Sequence, residues 1–326
     1  MKSKILEILR NKDTYVSGQE LSERFGVSRT AVWKAIHQLE EEGYRIEAVP
    51  RKGYHMVETP DVVCKEEILS LLETKWAGRN LVYLETVDST NDLAKKLADQ
   101  GAPEGTLVVA DEQTGGKGRR GRAWCTPKGS AIAMTIVLRP DIRPELASMV
   151  TLVMGLSVAK AIESLYPVSV GIKWPNDVVV NGKKICGILT EMSAEMTGIH
   201  YLVIGTGINT NVEEFPEEIQ SMATSLIKEL GEKVNRAELI AACLKYFEEY
   251  YEKYIAAGNL APLKEDYEAL LLNRNNKVRV LEPNHEYTGL SLGINEDGEL
   301  LVEKEDGTVT AVYAGEVSVR GVYGYV

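Results

Sequence analysis

The sequence predicts an α+β multidomain protein with an N-terminal winged helix-turn-helix, a central mixed β-sheet with helices, and a small C-terminal β-barrel. Three observations lead there. The first sixty residues string together short amphipathic helices with capping signals, and they hold ten Lys and Arg against nine acids. The whole 326-residue chain holds 37 against 48, a net charge of -11, so this segment differs in charge from the rest. The middle interleaves apolar runs of strand length with longer helical stretches, and the last fifty residues alternate in strand fashion between Asp-Gly turns. The expected domains are 1–60, 65–272 and 273–326.

Composition narrows the class. A 44% hydrophobic content is ordinary for a globular chain and supplies a sizeable core. The start, Met-Lys-Ser-Lys-Ile-Leu-Glu, has no apolar signal region, and the uncharged stretch 146–159 is too short and too broken by Ser, Thr and Gly to span a bilayer. A soluble, cytoplasmic chain is expected. The cysteines at 64, 125, 186 and 243 form no Cys-x-x-Cys pair, and the histidines at 37, 55, 200 and 285 are equally scattered. Neither a structural zinc nor a disulfide framework is expected.

In the first domain Ile5, Leu6, Ile8 and Leu9 form one helix face. Ser17 and Glu20 have capping-box spacing, with Val16 and Leu21 placed as a hydrophobic staple, so a second helix starts at Ser17 and stops at Gly26. Ser28 caps a third helix whose apolar stripe is Ala31, Val32, Ala35, Ile36 and Leu39. Helix, short glycine-containing turn, helix is the helix-turn-helix pattern. Arg29, Thr30, Trp33, Lys34 and His37 recur at three- and four-residue spacing on the opposite face. With Ser17 and Ser28, they are the candidate DNA-contacting set. Two short strands around Pro50-Arg51-Lys52-Gly53 then read as a wing, whose Arg51 and Lys52 would touch phosphates. A three-helix bundle for protein contacts is the alternative, disfavoured by the cationic wing and an exposed Trp33. Such readers bind as two-fold dimers, which implies a palindromic operator.

The stretch Gln113-Thr-Gly-Gly-Lys-Gly-Arg-Arg-Gly-Arg-Ala-Trp124 packs four glycines and four cations into twelve residues, and no acid occurs from Gln113 to Pro140. Glycines let backbone approach a ligand, and Lys117, Arg119, Arg120 and Arg122 would repel one another without an anion. The spacing from Gly116 to Gly121 matches G-x-G-x-x-G, but no helix follows it, so a dinucleotide fingerprint fails on context. No Gly-Lys-Ser or Gly-Lys-Thr occurs, which removes a Walker-type loop. An arginine-glycine segment of the RNA-binding type is countered by the strands that frame it. An anion-binding loop is expected, mobile when empty.

Strands are expected at 81–84, 106–110, 131–138 and 201–204, with a long amphipathic helix from about 144 to 165. Ser89, Thr90 and Asn91 precede a helix and either cap it or offer hydroxyl and amide groups to a polar, uncharged ligand end. Asn181-Gly182 between apolar runs is a strong hairpin signal and puts Lys183 and Lys184 at the head of the returning strand.

The ordered set Ser89-Thr-Asn91, Gly118-Arg-Arg-Gly-Arg-Ala-Trp124, Lys173-Trp-Pro-Asn-Asp177, Lys184-Ile-Cys-Gly187 and Gly205-Thr-Gly-Ile-Asn209 resembles the biotin protein ligases. With a winged helix in front, the chain is similar to their bifunctional bacterial form, ligase and biotin operon repressor. The resemblance covers essentially the whole chain. It implies a central fold like class II aminoacyl-tRNA synthetases and an SH3-like C-terminal barrel. It also implies the substrates biotin and ATP with Mg2+, a biotin carboxyl carrier protein of acetyl-CoA carboxylase as acceptor, and a homodimer on operator DNA.

By the same resemblance Ser89, Thr90, Asn91 and Gln113 lie at the biotin end, and Lys117, Gly118 and Arg119 close over biotin and its adenylate. Trp124, Gly187, Gly207 and Asn209 complete the expected ligand set. Lys184 would meet the carboxylate or phosphate, and Arg119, Lys184 and Lys117 are expected to neutralise charge as carboxylate and α-phosphorus meet. Asp177 is then either a carboxylate that holds Mg2+ directly or from behind its ligands, or the partner of Lys173 in a structural ion pair. Two departures stand out: Lys117 where arginine is common, and Ala123 where lysine is. A lipoate-protein ligase and a vitamin-binding regulator without ligase activity are the rivals. The winged helix and the Lys-Trp-Pro-Asn-Asp context weigh against the first, and the loop cations and Lys184 against the second.

Overall fold

The computed structural model describes residues 1–195, 198–282, 285–314 and 318–321. Two compact units emerge, Met1–Glu73 with Asn235–Ala241, and Thr74–Val234 with Ala242–Val326.

In the first unit the helices are α1 (Lys2–Arg10), α2 (Gly18–Phe25) and α3 (Arg29–Glu41), followed by the antiparallel wing β1 (Arg45–Val49) and β2 (Gly53–Glu58). The caps form where the sequence places them. Ser17 Oγ accepts from Glu20 N at 3.0 Å and Ser28 Oγ from Ala31 N at 3.2 Å, while Gly26 ends α2 in the left-handed conformation. The reciprocal half of the capping box is replaced, because the Glu20 carboxylate accepts from Lys12 Nζ instead. The predicted apolar faces meet in one core of Ile5, Leu6, Leu9, Val16, Leu21, Val32, Ile36 and Leu39.

Helix α4 (Lys65–Leu71), expected to open the central domain, belongs to this first unit. The reason is Glu67, fully buried, whose carboxylate accepts from Arg10 Nη2 at 2.6 Å and from the Tyr44 hydroxyl at 2.6 Å. A buried carboxylate needs such partners, and here they come from the winged helix.

The second unit centres on a seven-stranded sheet in the order β3-β4-β5-β9-β8-β7-β6, numbered along the chain. Its members are β3 (Leu81–Val87), β4 (Leu107–Gln113), β5 (Ala131–Leu138), β6 (Val170–Lys173), β7 (Asp177–Val180), β8 (Lys183–Glu195) and β9 (Gly198–Asn209). Among the described residues of this sheet only β3 and β4 pair in parallel, and every other ladder is antiparallel. The β7–β8 hairpin turns at Asn181 and Gly182, with φ of 50° and 74°, as a primed turn requires.

Helix α5 (Thr90–Asp99) follows β3, and α6 (Met149–Leu165) packs behind the sheet after a 3-10 turn at Pro144–Ser148. The segment 144–165, read as amphipathic, is instead buried on all sides from Met149 to Ala159. It is long and apolar enough to cross a membrane by composition, yet most of it is enclosed by the protein. The remaining helices are α7 (Leu226–Leu230), α8 (Arg236–Ala257) and α9 (Lys264–Leu270).

The C-terminal strands are β10 (Lys277–Glu282), β11 (His285–Ile294), β12 (Leu300–Glu303), β13 (Val309–Val312) and β14 (Ser318–Gly321). They form an antiparallel sheet in the order β13-β12-β11-β10-β14, turned at Gly298 and Gly307 with φ of 72° and 80°. No β13–β14 ladder closes it among the described residues, and Val317, expected in the last strand, lies outside them. This sheet is tied to the larger one by Trp174, whose buried indole donates to Gly298 O at 3.0 Å and whose amide donates to Asn273 Oδ1 at 2.8 Å.

Candidate active site

A pocket, partly open to solvent, lies where α5, the glycine-rich loop and the strands β8 and β9 converge. One end is polar and uncharged. Ser89 caps α5, its Oγ accepting from Asp92 N at 3.4 Å, so the capping reading holds while Ser89, Thr90 and Asn91 also line the pocket. Gln113 Oε1 accepts from both the amide and the hydroxyl of Thr90 at 2.9 Å, and its Nε2 donates to Thr126 Oγ1 at 3.2 Å. Thr135 Oγ1 lies 2.8 Å from Thr90 Oγ1 and 2.7 Å from Asn91 Oδ1, and Asn91 Nδ2 donates to Glu191 Oε2 at 2.8 Å. These buried groups orient one another, so their geometry is fixed before any ligand arrives.

The other end is cationic. Lys184 Nζ sits 2.6 Å from Asp177 Oδ1 and 5.5 Å from the Trp124 ring centroid. Its strand is braced by the segment 222–224, since Lys184 N donates to Met222 O at 2.7 Å and Thr224 N donates to Lys184 O at 2.9 Å. Arg119 spans the mouth, with Nη1 donating to Asn176 Oδ1 at 3.0 Å and Nη2 to Ala314 O at 3.0 Å. Burial lowers its pKa and Asp177 opposes that shift. Lys173, buried nearby, is pushed down to about 8 by burial, against the raising effect of Asp177.

Between the two ends stands Trp124. Its indole lies against the floor strands so closely that a Cβ on Gly207 would come within 2.3 Å of it, and one on Gly187 within 2.9 Å. Glycine at both positions makes that seat. The indole Nε1 is buried and finds no acceptor among the described residues, although a buried N–H ordinarily has one.

Of the predicted ligand set, Ser89, Thr90, Asn91 and Gln113 line this pocket, as do Lys117, Gly118, Arg119, Trp124, Lys184, Gly187 and Gly207. Asn209 does not. It stands one layer back, where Nδ2 donates to Thr224 O at 3.1 Å and so steadies the segment that braces Lys184. Asn176, Ile188, Leu189, Gly205 and Thr206 line the pocket without having been singled out. The strand alternation after Gly187 carried the signal for Leu189, and the Gly205-Thr-Gly207 spacing carried it for Gly205. Asp177 is engaged by Lys184, and no group of three metal-ligating side chains occurs among the described residues.

In the first unit Arg29, Thr30, Trp33, Lys34 and His37 are exposed on α3, opposite the buried stripe, and Arg51 and Lys52 are exposed at the wing tip. Trp33 is 52% exposed and meets His37 edge-on at 4.8 Å. The hydroxyls of Ser17 and Ser28 serve as caps at the starts of α2 and α3. An exposed tryptophan beside cations on a helix that follows a tight turn suits a groove reader.

Three family descriptions match the chain in order: HTH domain at 2–55, Biotin/lipoate A/B protein ligase family at 83–209, and Biotin protein ligase C terminal domain at 275–320. The Bacillus subtilis (strain 168) bifunctional ligase/repressor BirA is 41% identical over 305 residues, covering 93% of each chain. The Escherichia coli (strain K12) bifunctional ligase/repressor BirA is 31% identical over 318 residues, covering 97% of this chain and 96% of that one. Among solved structures, the Aquifex aeolicus biotin protein ligase in complex with biotin and ATP aligns with a TM-score of 0.67 at 34% identity, covering 74% of this chain and 99% of that chain.

Proposed function

This chain belongs to the family of bifunctional biotin protein ligases and repressors, and from that membership we propose that it is an ATP-dependent biotin protein ligase that also represses transcription in the cytoplasm. Its reaction joins biotin to ATP as biotinyl-5'-AMP with release of pyrophosphate. It then transfers biotin to one lysine of the biotin carboxyl carrier protein of acetyl-CoA carboxylase. The observation that carries this reading is the two-ended pocket, polar and uncharged at Thr90, Asn91 and Gln113, cationic at Lys184 and Arg119.

The polar end suits the ureido head of biotin, which both donates and accepts hydrogen bonds. The valeryl tail then runs along Trp124 and the glycine floor toward Lys184. There a carboxylate oxygen attacks the α-phosphorus and the bond to pyrophosphate breaks. Both reactants are anions, so Lys184 and Arg119 neutralise charge where it builds. In the second step the amine of the carrier lysine attacks the mixed anhydride, an amide forms, and AMP leaves. No nucleophilic triad is needed. Among the described residues no three metal-ligating side chains form a cage, so Mg2+ would be held chiefly by ATP phosphates, with Asp177 as the candidate protein carboxylate, and would supply charge neutralisation on the leaving pyrophosphate.

For repression, α3 and the wing would read a palindromic operator of the biotin synthesis and transport genes as a homodimer, with the adenylate as corepressor. The far half of β8, from Thr190 to Glu195, pairs with β9 on one side, which leaves a sheet edge suited to pairing with a second copy. Carrier protein and second copy would compete for that edge. The test is operator binding with and without biotin plus ATP. Tighter binding with both is expected, and unchanged binding would remove the corepressor role.

A further inference from the structure

We propose that Asp92 is a positioning residue that seats the glycine-rich loop over the pocket, acting through Lys117. Asp92 lies in the first turn of α5, three residues after the cap Ser89, where a carboxylate is favoured by the helix N-terminus. It is gripped by two lysines. Lys117 Nζ meets Oδ2 at 2.6 Å, and Lys95 Nζ meets Oδ1 at 3.0 Å.

Lys95 also lies 2.7 Å from Glu191 Oε1, and the other oxygen of that carboxylate accepts from Asn91 Nδ2 at 2.8 Å. An unbroken chain therefore runs from Lys117 through Asp92, Lys95 and Glu191 to Asn91, and its two ends both line the pocket. Hydrogen bonding from Lys117 is the foremost reason the Asp92 carboxyl is held below its ordinary pKa, so Asp92 is ionised throughout the physiological range.

This arrangement gives Lys117 a second role. Its ammonium pairs with Asp92 and seats the loop, beside the charge neutralisation expected for it from the sequence. A lysine suits the task, because one Asp92 oxygen is already taken by Lys95 and a point charge needs only the other. Lys117 is 52% exposed and Asp92 33%. An exposed pair shifts an equilibrium by up to about fivefold, enough to bias a loop that must also open.

The inference rests on the ligase reading only for what the loop covers. Full-length wild type, Asp92→Asn, Asp92→Glu, Lys117→Met and the Asp92→Asn/Lys117→Met double variant are digested with trypsin, and cleavage after Arg119, Arg120 and Arg122 is timed by mass spectrometry. The release rate of preformed biotinyl-adenylate is measured in parallel. Each single neutralisation should speed loop cleavage and release about threefold. The double variant should match the singles, and Asp92→Glu should retain most of the protection. Unchanged cleavage in Asp92→Asn, or single effects that multiply in the double variant, would overturn the proposal. If wild type forms no adenylate the ligase reading fails, and cleavage still decides the role of Asp92.

Discussion

Lys184 Nζ stands 2.6 Å from Asp177 Oδ1 and 5.5 Å from the centroid of the Trp124 ring. One cation thereby joins the β7–β8 hairpin to the end of the glycine-rich loop, at the cationic end of the pocket. The Asp177 carboxylate aims the ammonium, and the ring face adds a cation–π attraction that does not consume its donors.

Replacement of Lys184 by Gln should cut the adenylation rate constant by about 10²–10³, the usual cost of losing one preorganised charge-stabilising donor. Biotin affinity should change only a few-fold. Rapid-quench measurement of adenylate formation, beside calorimetric titration with biotin, separates the two. A rate within tenfold of wild type would place the charge stabilisation on another residue.

Gly207→Ala should weaken biotin binding by at least about tenfold while leaving the protein folded. The added methyl would come within 2.3 Å of the Trp124 indole and force it from its seat. Overpacking of this kind costs about 1–3 kcal/mol. Titration with biotin and thermal unfolding check the two effects. Undiminished affinity would show that the indole position is irrelevant to the ligand.

Much of this arrangement was legible in the sequence, and the parts that were not share a cause. Helix caps at Ser17 and Ser28, the Asn181-Gly182 turn and the period-two strands are local signals, read from a few adjacent residues. The placement of α4 was not legible, because Glu67 finds Arg10 and Tyr44 far away along the chain. The segment 144–165 was misread because burial on every side is a property of its neighbours. Most of the expected ligand-lining residues do gather in one pocket. Asn209 shows the limit: a motif puts a residue near a site, but only tertiary partners, here Thr224 O, fix where the side chain goes.

Lys173 should make stability depend on pH in an identifiable way. Burial pushes its pKa down to about 8 from 10.5, so the folded protein loses this proton before the unfolded chain does. Between those values the unfolded state binds more protons, and the contribution of this residue to stability rises with pH. Below pH 8 the full cost, on the order of 3 kcal/mol, is carried. Lys173→Met should therefore be more stable than wild type at pH 7, with the gap closing toward pH 10, as denaturant titrations would show. A gap independent of pH would contradict the assignment.

Lys52→Ala should weaken operator and non-operator DNA alike and reduce the salt slope of binding by about one unit, the signature of one lost phosphate contact. Trp33→Ala should instead lose specificity, by about 1–3 kcal/mol between cognate and unrelated duplexes. Titrations of both duplexes at several salt concentrations decide this. If both variants bind as wild type does, α3 and the wing serve protein contacts.

The most direct measurement is mass spectrometry of a biotin carboxyl carrier domain after incubation with this protein, ATP, Mg2+ and biotin, with lipoate in a parallel reaction. A biotin-sized mass increment on one carrier lysine, absent without ATP and absent with lipoate, is the predicted result. An increment with lipoate instead, or none with either acid, would contradict the ligase assignment.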